Sequence, residues 1–185
     1  MPAIHQMFDH SDLADTFYCD TSYLAGMYLP ASQTYQRFHP EFAAFQQRLY
    51  TTPDVLCVTS DWALNEVIHL IQQEQLARDC QQFNALHGTR LNPEWFRRQN
   101  PAVLANSWNE IVRVLAHIER GCEIVAIPNT SLTDAALEII RYFHLRPTDA
   151  YHIATALMYD ITTFVSIDRD FLRVNGITIY TCLPP

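Results

Sequence analysis

The sequence predicts an α/β fold: a three-layer α/β/α sandwich around a central, mostly parallel sheet of about five strands, with an extra helical insertion. Two observations carry this. Short apolar, β-branched segments alternate with longer stretches whose apolar residues recur at helical spacing, as strand–helix–strand crossovers require. At 185 residues with 49% hydrophobic content, the chain can also bury a full core, and one domain spanning residues 1–185 is expected.

In order, TFYC (16–19) reads as a short buried strand, and a helix begins near Thr21. VLCVTS (55–60) is a second strand. Thr59 or Ser60 can cap the helix that follows, which carries Leu64, Ile68 and Ile71 at helical spacing. Residues 72–120 read as helices inserted between the second and third strands. Within them Asn92-Pro93 is a helix start, a cap followed by proline at the first helical position. From Pro101 to Arg120, Leu104, Trp108, Ile111, Leu115 and Ile118 recur at steps of four and three, and Gly121 fits a left-handed C-terminal cap. EIVAI (123–127) is a third strand. SLTDAALEIIRYF (131–143) is a helix whose Ser131 and Asp134 resemble a capping box. Thr148-Asp149 opens the helix AYHIATALMY, TTFVSI (162–167) is a fourth strand and ITIY (177–180) a fifth.

Composition removes several chemistries. Twenty acidic residues outnumber twelve basic ones, giving −8 at pH 7, and every basic residue is arginine. Without lysine there is neither a P-loop lysine nor a Schiff base. Four glycines, at 26, 88, 121 and 176, cannot build a Gly-rich dinucleotide loop. No basic run suggests broad capture of nucleic acid. No apolar run approaches the ~18 residues of a membrane span, and the polar, acidic start reads as neither a secretory signal nor a transit peptide. Five cysteines without a C-x-x-C pair fit a reduced cytoplasm, with Cys19, Cys57 and Cys122 as small core residues.

Sites in open parallel sheets form beyond the carboxyl ends of the strands. Asp20 follows strand 16–19, and Asp168 follows strand 162–167 with Asp170 close behind. Glu66 lies near the second turn of the helix after strand 55–60. Asp149 opens a helix, and joins the same edge only if HLRPT folds back there. Each has an ordinary reading as well. Asp20 can cap a helix, Glu66 can be a solvated flank, Asp149 suits the helix dipole, and Asp168 can shape an Asx turn.

Four segments occur in sequence order: Asp20-Thr21-Ser22 after a strand, Ser60 with Glu66 at a helix start, Asp149-Ala150 with Ala154 and Ala156, and Ser166-x-Asp168-x-Asp170-Phe171. This pattern resembles the PIN-domain nucleases, including the ribonuclease toxins of VapBC-type toxin–antitoxin modules. DAYHIATAL followed by TTFVSIDRDF is its most specific part. The resemblance covers about residues 16–71 and 123–180, and the helices of 72–120 lie outside it.

The resemblance implies a PIN-like fold and a four-carboxylate metal site made by Asp20, Glu66, Asp149 and Asp168, with Ser22 and Ser166 as accompanying hydroxyls and Asp170 outside the ligand set. Converging carboxylates repel one another, and Mg²⁺ or Mn²⁺ relieves this because both prefer oxygen ligands. Zinc is disfavoured, since no His/Cys pair sits at ligand spacing, and His152 is expected on a helix surface. Arg169, beside Asp168, is the expected phosphate contact, with a surface ion pair as its alternative. The implied activity is endoribonucleolytic cleavage leaving a 5′-phosphate and a 3′-hydroxyl. The expected partners are an RNA substrate, a cognate antitoxin protein and a second copy in a homodimer, with no membrane. Two other classes compete. A PIN-fold RNA-binding or scaffold module could keep the fold with a silent site. A small-molecule phosphohydrolase would need a D-x-D motif, but Thr21-Ser22 follow Asp20.

Overall fold

The computed structural model describes residues 1–126 and 131–184. Six strands form one sheet: β1 (Ile4–Met7), β2 (Thr16–Cys19), β3 (Leu56–Ser60), β4 (Glu123–Val125), β5 (Thr163–Val165) and β6 (Thr178–Thr181). Their spatial order is β1-β6-β5-β2-β3-β4 and every pairing is parallel. Seven α-helices are described: α1 (Thr21–Tyr28), α2 (His39–Thr51), α3 (Asp61–His87), α4 (Pro93–Gln99), α5 (Trp108–Gly121), α6 (Ser131–Phe143) and α7 (Pro147–Met158).

Alternation along β2 sorts its side chains between two cores. Phe17 and Cys19 face a layer built from α1, α2, α5 and the start of α3, through Leu24, Phe42, Phe45, Val67 and Ile118. Tyr18 points the other way, toward Leu132, Ile153, Phe164 and Ile179 under α6 and α7. The result is the expected three-layer sandwich. Cys19, Cys57 and Cys122 are buried free thiols in the first core.

Five strands were expected and six are present. The sixth, β1, is a half-exposed edge strand that pairs only with β6, Ile4 lying against Thr178. Helix α2 also has no counterpart in the sequence reading. Of the third expected strand, Ile127 lies outside the described residues. Residues 72–87 continue α3, which runs unbroken for 27 residues. Gly88 ends it with φ 64°, a left-handed conformation that glycine adopts without penalty.

The helix expected over 101–120 is divided. Residues 101–107 form a tighter 3₁₀ segment, α5 starts at Trp108, and Trp108 itself is 64% exposed. Gly121 is not a left-handed cap. It is the last residue of α5, and a Cβ there would lie 2.6 Å from Tyr28 Oη and 2.7 Å from Tyr50 Oη. Close approach, not backbone freedom, requires glycine at this position.

All strands run the same way, so their carboxyl ends share one edge. From β2 the chain winds outward to β3 and β4, then returns to β5 on the other side of β2. That reversal opens a crevice between β2 and β5, where ligands bind in open parallel sheets.

Candidate functional site

A cleft of about 350 Å³ opens at this crevice, and Asp20, Glu66, Asp149 and Asp168 all line it. Asp20 caps α1 and is 4% exposed. Its Oδ1 accepts the Tyr23 N–H at 2.9 Å; the Ser22 hydroxyl donates to it at 2.8 Å, and the Ser166 hydroxyl donates to Oδ2 at 2.6 Å. Capping and site membership coincide in this carboxylate. Burial raises its pKa, partly offset by His152 and these donors. Ser166 Oγ in turn accepts the Asp168 N–H at 2.9 Å, and Ser22 Oγ accepts the Ile167 N–H at 3.1 Å. The two serines thus lock the exit of β5 to the start of α1. Asp168 caps the short helical turn 169–173 by accepting the Asp170 N–H at 2.8 Å.

Asp149 reaches the cleft because the chain does fold back after α6. His144 takes a left-handed φ of 54°, buried Leu145 anchors the loop, and Pro147 at the first helical position restarts the chain as α7. The Asp149 Oδ2 is buried without a hydrogen-bond partner. Burial, then the negative charge of Asp168, pushes its pKa up to about 6.

Glu66 is held by two groups. The Thr21 hydroxyl donates to Oε2 at 2.5 Å, and His152 Nε2 lies 2.7 Å from the same oxygen. Burial opposes ionisation of Glu66, but the His152 and Thr21 contacts outweigh it and its pKa is lowered. His152 is not on a helix surface. It is 3% exposed, with Nδ1 3.0 Å from Tyr18 Oη, which meets Ser60 Oγ at 2.7 Å. A carboxylate only accepts, so Nε2 carries the proton of the Glu66 bond. The spacing signalled this: His152 follows Asp149 by three positions and shares its helix face.

Arg169 does not enter the cleft. It is exposed and donates to the Pro184 carbonyl at 3.0 Å. Asp170 pairs with Arg173 at 2.9 Å. The arginine lining the cleft is Arg146, joined there by Tyr35; the sequence reading missed both.

The PIN domain family model matches residues 18–177. The chain belongs to the PIN domain family. Solved structures similar to this PIN domain include Mycobacterium tuberculosis VapC20, described as a sarcin–ricin loop cleaving toxin, at 16% identity and TM-score 0.48, covering 84% of this chain and 92% of that one. PAE2754 from Pyrobaculum aerophilum matches at 13% identity and TM-score 0.47, over 89% and 84%. A chain of FitAB bound to an IR36 DNA fragment matches at 12% identity and TM-score 0.48, over 90% and 94%. No curated protein sequence matches this PIN domain. Among its described residues, no helix is long and apolar enough to cross a membrane.

The donor chemistry of the cleft fits a hard divalent cation. The four acidic side chains offer only oxygens, and Asp149 Oδ2 carries unshared lone pairs in a buried position. As arranged, no three acidic, imidazole or thiol groups among the described residues stand together as a ligand cage. Asp20 and Glu66 are turned onto their serine, threonine and histidine partners.

Proposed function

We propose that this PIN domain is a metal-dependent endoribonuclease that hydrolyses RNA phosphodiester bonds and acts as the toxin of a type II toxin–antitoxin module. One observation carries the reading: Asp20, Glu66, Asp149 and Asp168 line a single cleft at the carboxyl edge of the sheet. Membership of a family whose members are as a rule nucleases supports it.

Asp20, Glu66, Asp149 and Asp168 would hold one or two Mg²⁺ or Mn²⁺ ions. Such ions lower the pKa of a water and stabilise the attacking and leaving oxygens of an in-line displacement. The chain's own task is to keep four carboxylates poised against their mutual repulsion. Ser22 and Ser166 fix Asp20, Thr21 and His152 fix Glu66, and the Ser166 bond to the Asp168 N–H sets the β5 exit. No step needs lysine, and none is present.

Of the net charge of −8, the four proposed ligands carry −4, and the −4 left over the rest of the chain disfavours indiscriminate RNA binding, which suits a selective enzyme. A nuclease of this kind needs restraint, so a cognate antitoxin that covers the cleft is part of the proposal, as is a cytoplasmic setting with its five cysteines reduced. The test is incubation of purified protein with a mixed structured RNA pool under Mg²⁺, Mn²⁺ or EDTA, beside Asp20→Asn. Metal-dependent cleavage leaving 5′-phosphate ends, lost in the variant, is expected. Binding of RNA without cleavage under every metal would instead favour the silent scaffold.

A further inference from the structure

Four carboxylates line the cleft, so an unpaired cation beside them stands out. Among the described residues, ten of the twelve arginines are engaged by a carboxylate, an amide or carbonyl oxygen, or an aromatic ring, as with Arg48 on the Phe8 and His10 carbonyls and Arg113 on Glu110. Arg90 and Arg146 are not. Arg90 sits on the exposed turn after α3, whereas Arg146 lines the cleft. It precedes Pro147 and is held extended at φ −66°, ψ 151°. Its charge favours ionised Asp149, yet it forms no ion pair with any of the four carboxylates.

Tyr35 is another unengaged donor of the cleft, and unlike Asn65 and His69 it is not on an exposed face of α3. It follows α1, is half-buried, and its backbone N–H rests on Ser32 Oγ at 3.4 Å. Its phenol has no hydrogen-bond partner among the described residues. Burial and the nearby charges of Asp20, Glu66 and Asp168 push its pKa up to about 12, so it stays a neutral O–H donor.

We propose that Arg146 and Tyr35 are the phosphate-holding residues of this cleft, the guanidinium taking the non-bridging oxygens of an RNA phosphodiester and the phenol donating a further bond to it. Both donors line the cleft that holds the four carboxylates, and no hydrogen bond or ion pair among the described residues uses them. An arginine is suited to this because its planar fork matches phosphate oxygens. The proposal rests on the nuclease reading for its substrate, but it makes separate predictions about binding.

The experiment measures anisotropy of a fluorescein-labelled single-stranded RNA with full-length protein in Ca²⁺ and in EDTA, across a salt series, beside cleavage kinetics in Mg²⁺. Parent, Arg146→Ala, Arg146→Lys, Tyr35→Phe and Arg169→Ala are compared. Arg146→Ala should weaken binding and raise KM about tenfold, the loss expected for a charged hydrogen bond. It should also flatten the slope of log affinity against log salt by about one phosphate contact. Arg146→Lys should keep the slope while losing part of the affinity, Tyr35→Phe should lose about threefold, and Arg169→Ala should match the parent. Unchanged affinity and slope in Arg146→Ala would overturn the proposal and leave the nuclease reading standing. RNA binding that depends on Arg146 in a protein that never cleaves would uphold the proposal and overturn the nuclease reading. A parent that neither binds nor cleaves RNA overturns both.

Discussion

His152 Nε2 stands 2.7 Å from Glu66 Oε2, and this bond joins α7 to α3 across the cleft. It is the middle of a chain that runs from Ser60 through Tyr18 and His152 to Glu66, where the Thr21 hydroxyl also ends. Tyr18 keeps Ser60 and Glu66 keeps Thr21 without the imidazole, but each loses its bond to His152.

Replacing His152 with phenylalanine should therefore destabilise the protein by about 2 kcal/mol, because Tyr18 and Glu66 each lose a partner in a buried setting. Glutamine, which keeps an N–H directed toward Glu66, should recover part of that. Denaturant unfolding of the two variants provides the comparison; equal stability of His152→Phe and parent would mean the chain does not hold Glu66.

Asp149 gives the metal-free protein a pH dependence. Its folded pKa, raised from 3.8 to about 6, means the fold binds its proton more tightly than the unfolded chain does. The corresponding stability is full below about pH 4 and is lost as pH rises through 6. Asp149→Asn should then exceed the parent at pH 7 by on the order of 1–2 kcal/mol in EDTA, with the gap closing by pH 4. Melting curves at the two pH values measure it, and a gap that persists at pH 4 would assign the gain to something other than ionisation.

Asp20→Asn and Asp168→Asn should each lower RNA cleavage at least a hundredfold, read as product bands under Mg²⁺. Their stabilities should differ from that of Asp149→Asn. Asp20 accepts from Ser22, Tyr23 and Ser166, and asparagine cannot serve all three, so this variant should melt below the parent even in EDTA. Divalent ion at a hundredfold excess over Kd should stabilise the parent by about 2.7 kcal/mol and both variants less. A parent unmoved by millimolar Mg²⁺ or Mn²⁺ would rule out a shared ion.

At Gly121 a methyl group would meet Tyr28 and Tyr50 Oη inside van der Waals distance. Gly121→Ala should cost about 1–3 kcal/mol through overpacking. Adding Tyr28→Phe removes one clashing oxygen and should return part of the loss in the same unfolding assay.

Much of this fold was legible because buried parallel strands are short apolar runs with caps at their ends. Asp20, Ser60 and Asn92 cap helices where the pattern put them. β1 was hidden because an edge strand buries little and carries polar His5 and Gln6. Asp20 and Asp168 could be read from strand ends, which one edge of the sheet gathers, whereas Glu66 and Asp149, on α3 and α7, joined them through the family resemblance. Arg146, Tyr35 and His152 were harder. Their place in the cleft depends on loops and on a helix face, and neighbouring residues alone do not fix either. Arg169 misled for the same reason: adjacency to Asp168 in sequence says nothing of direction, and its side chain turns to Pro184.

The Ser166 bond to Asp20 joins residues 146 positions apart, and β2, which ends just before Asp20, borders both β3 and β5. On a ribosome, Asp20 emerges early but its hydroxyl partner and Asp168 emerge late. No nascent fragment ending before β5 can contain the assembled cleft, whatever else of the sheet has formed. The order of synthesis therefore withholds the cleft, and any chemistry it carries, until nearly the whole chain has emerged.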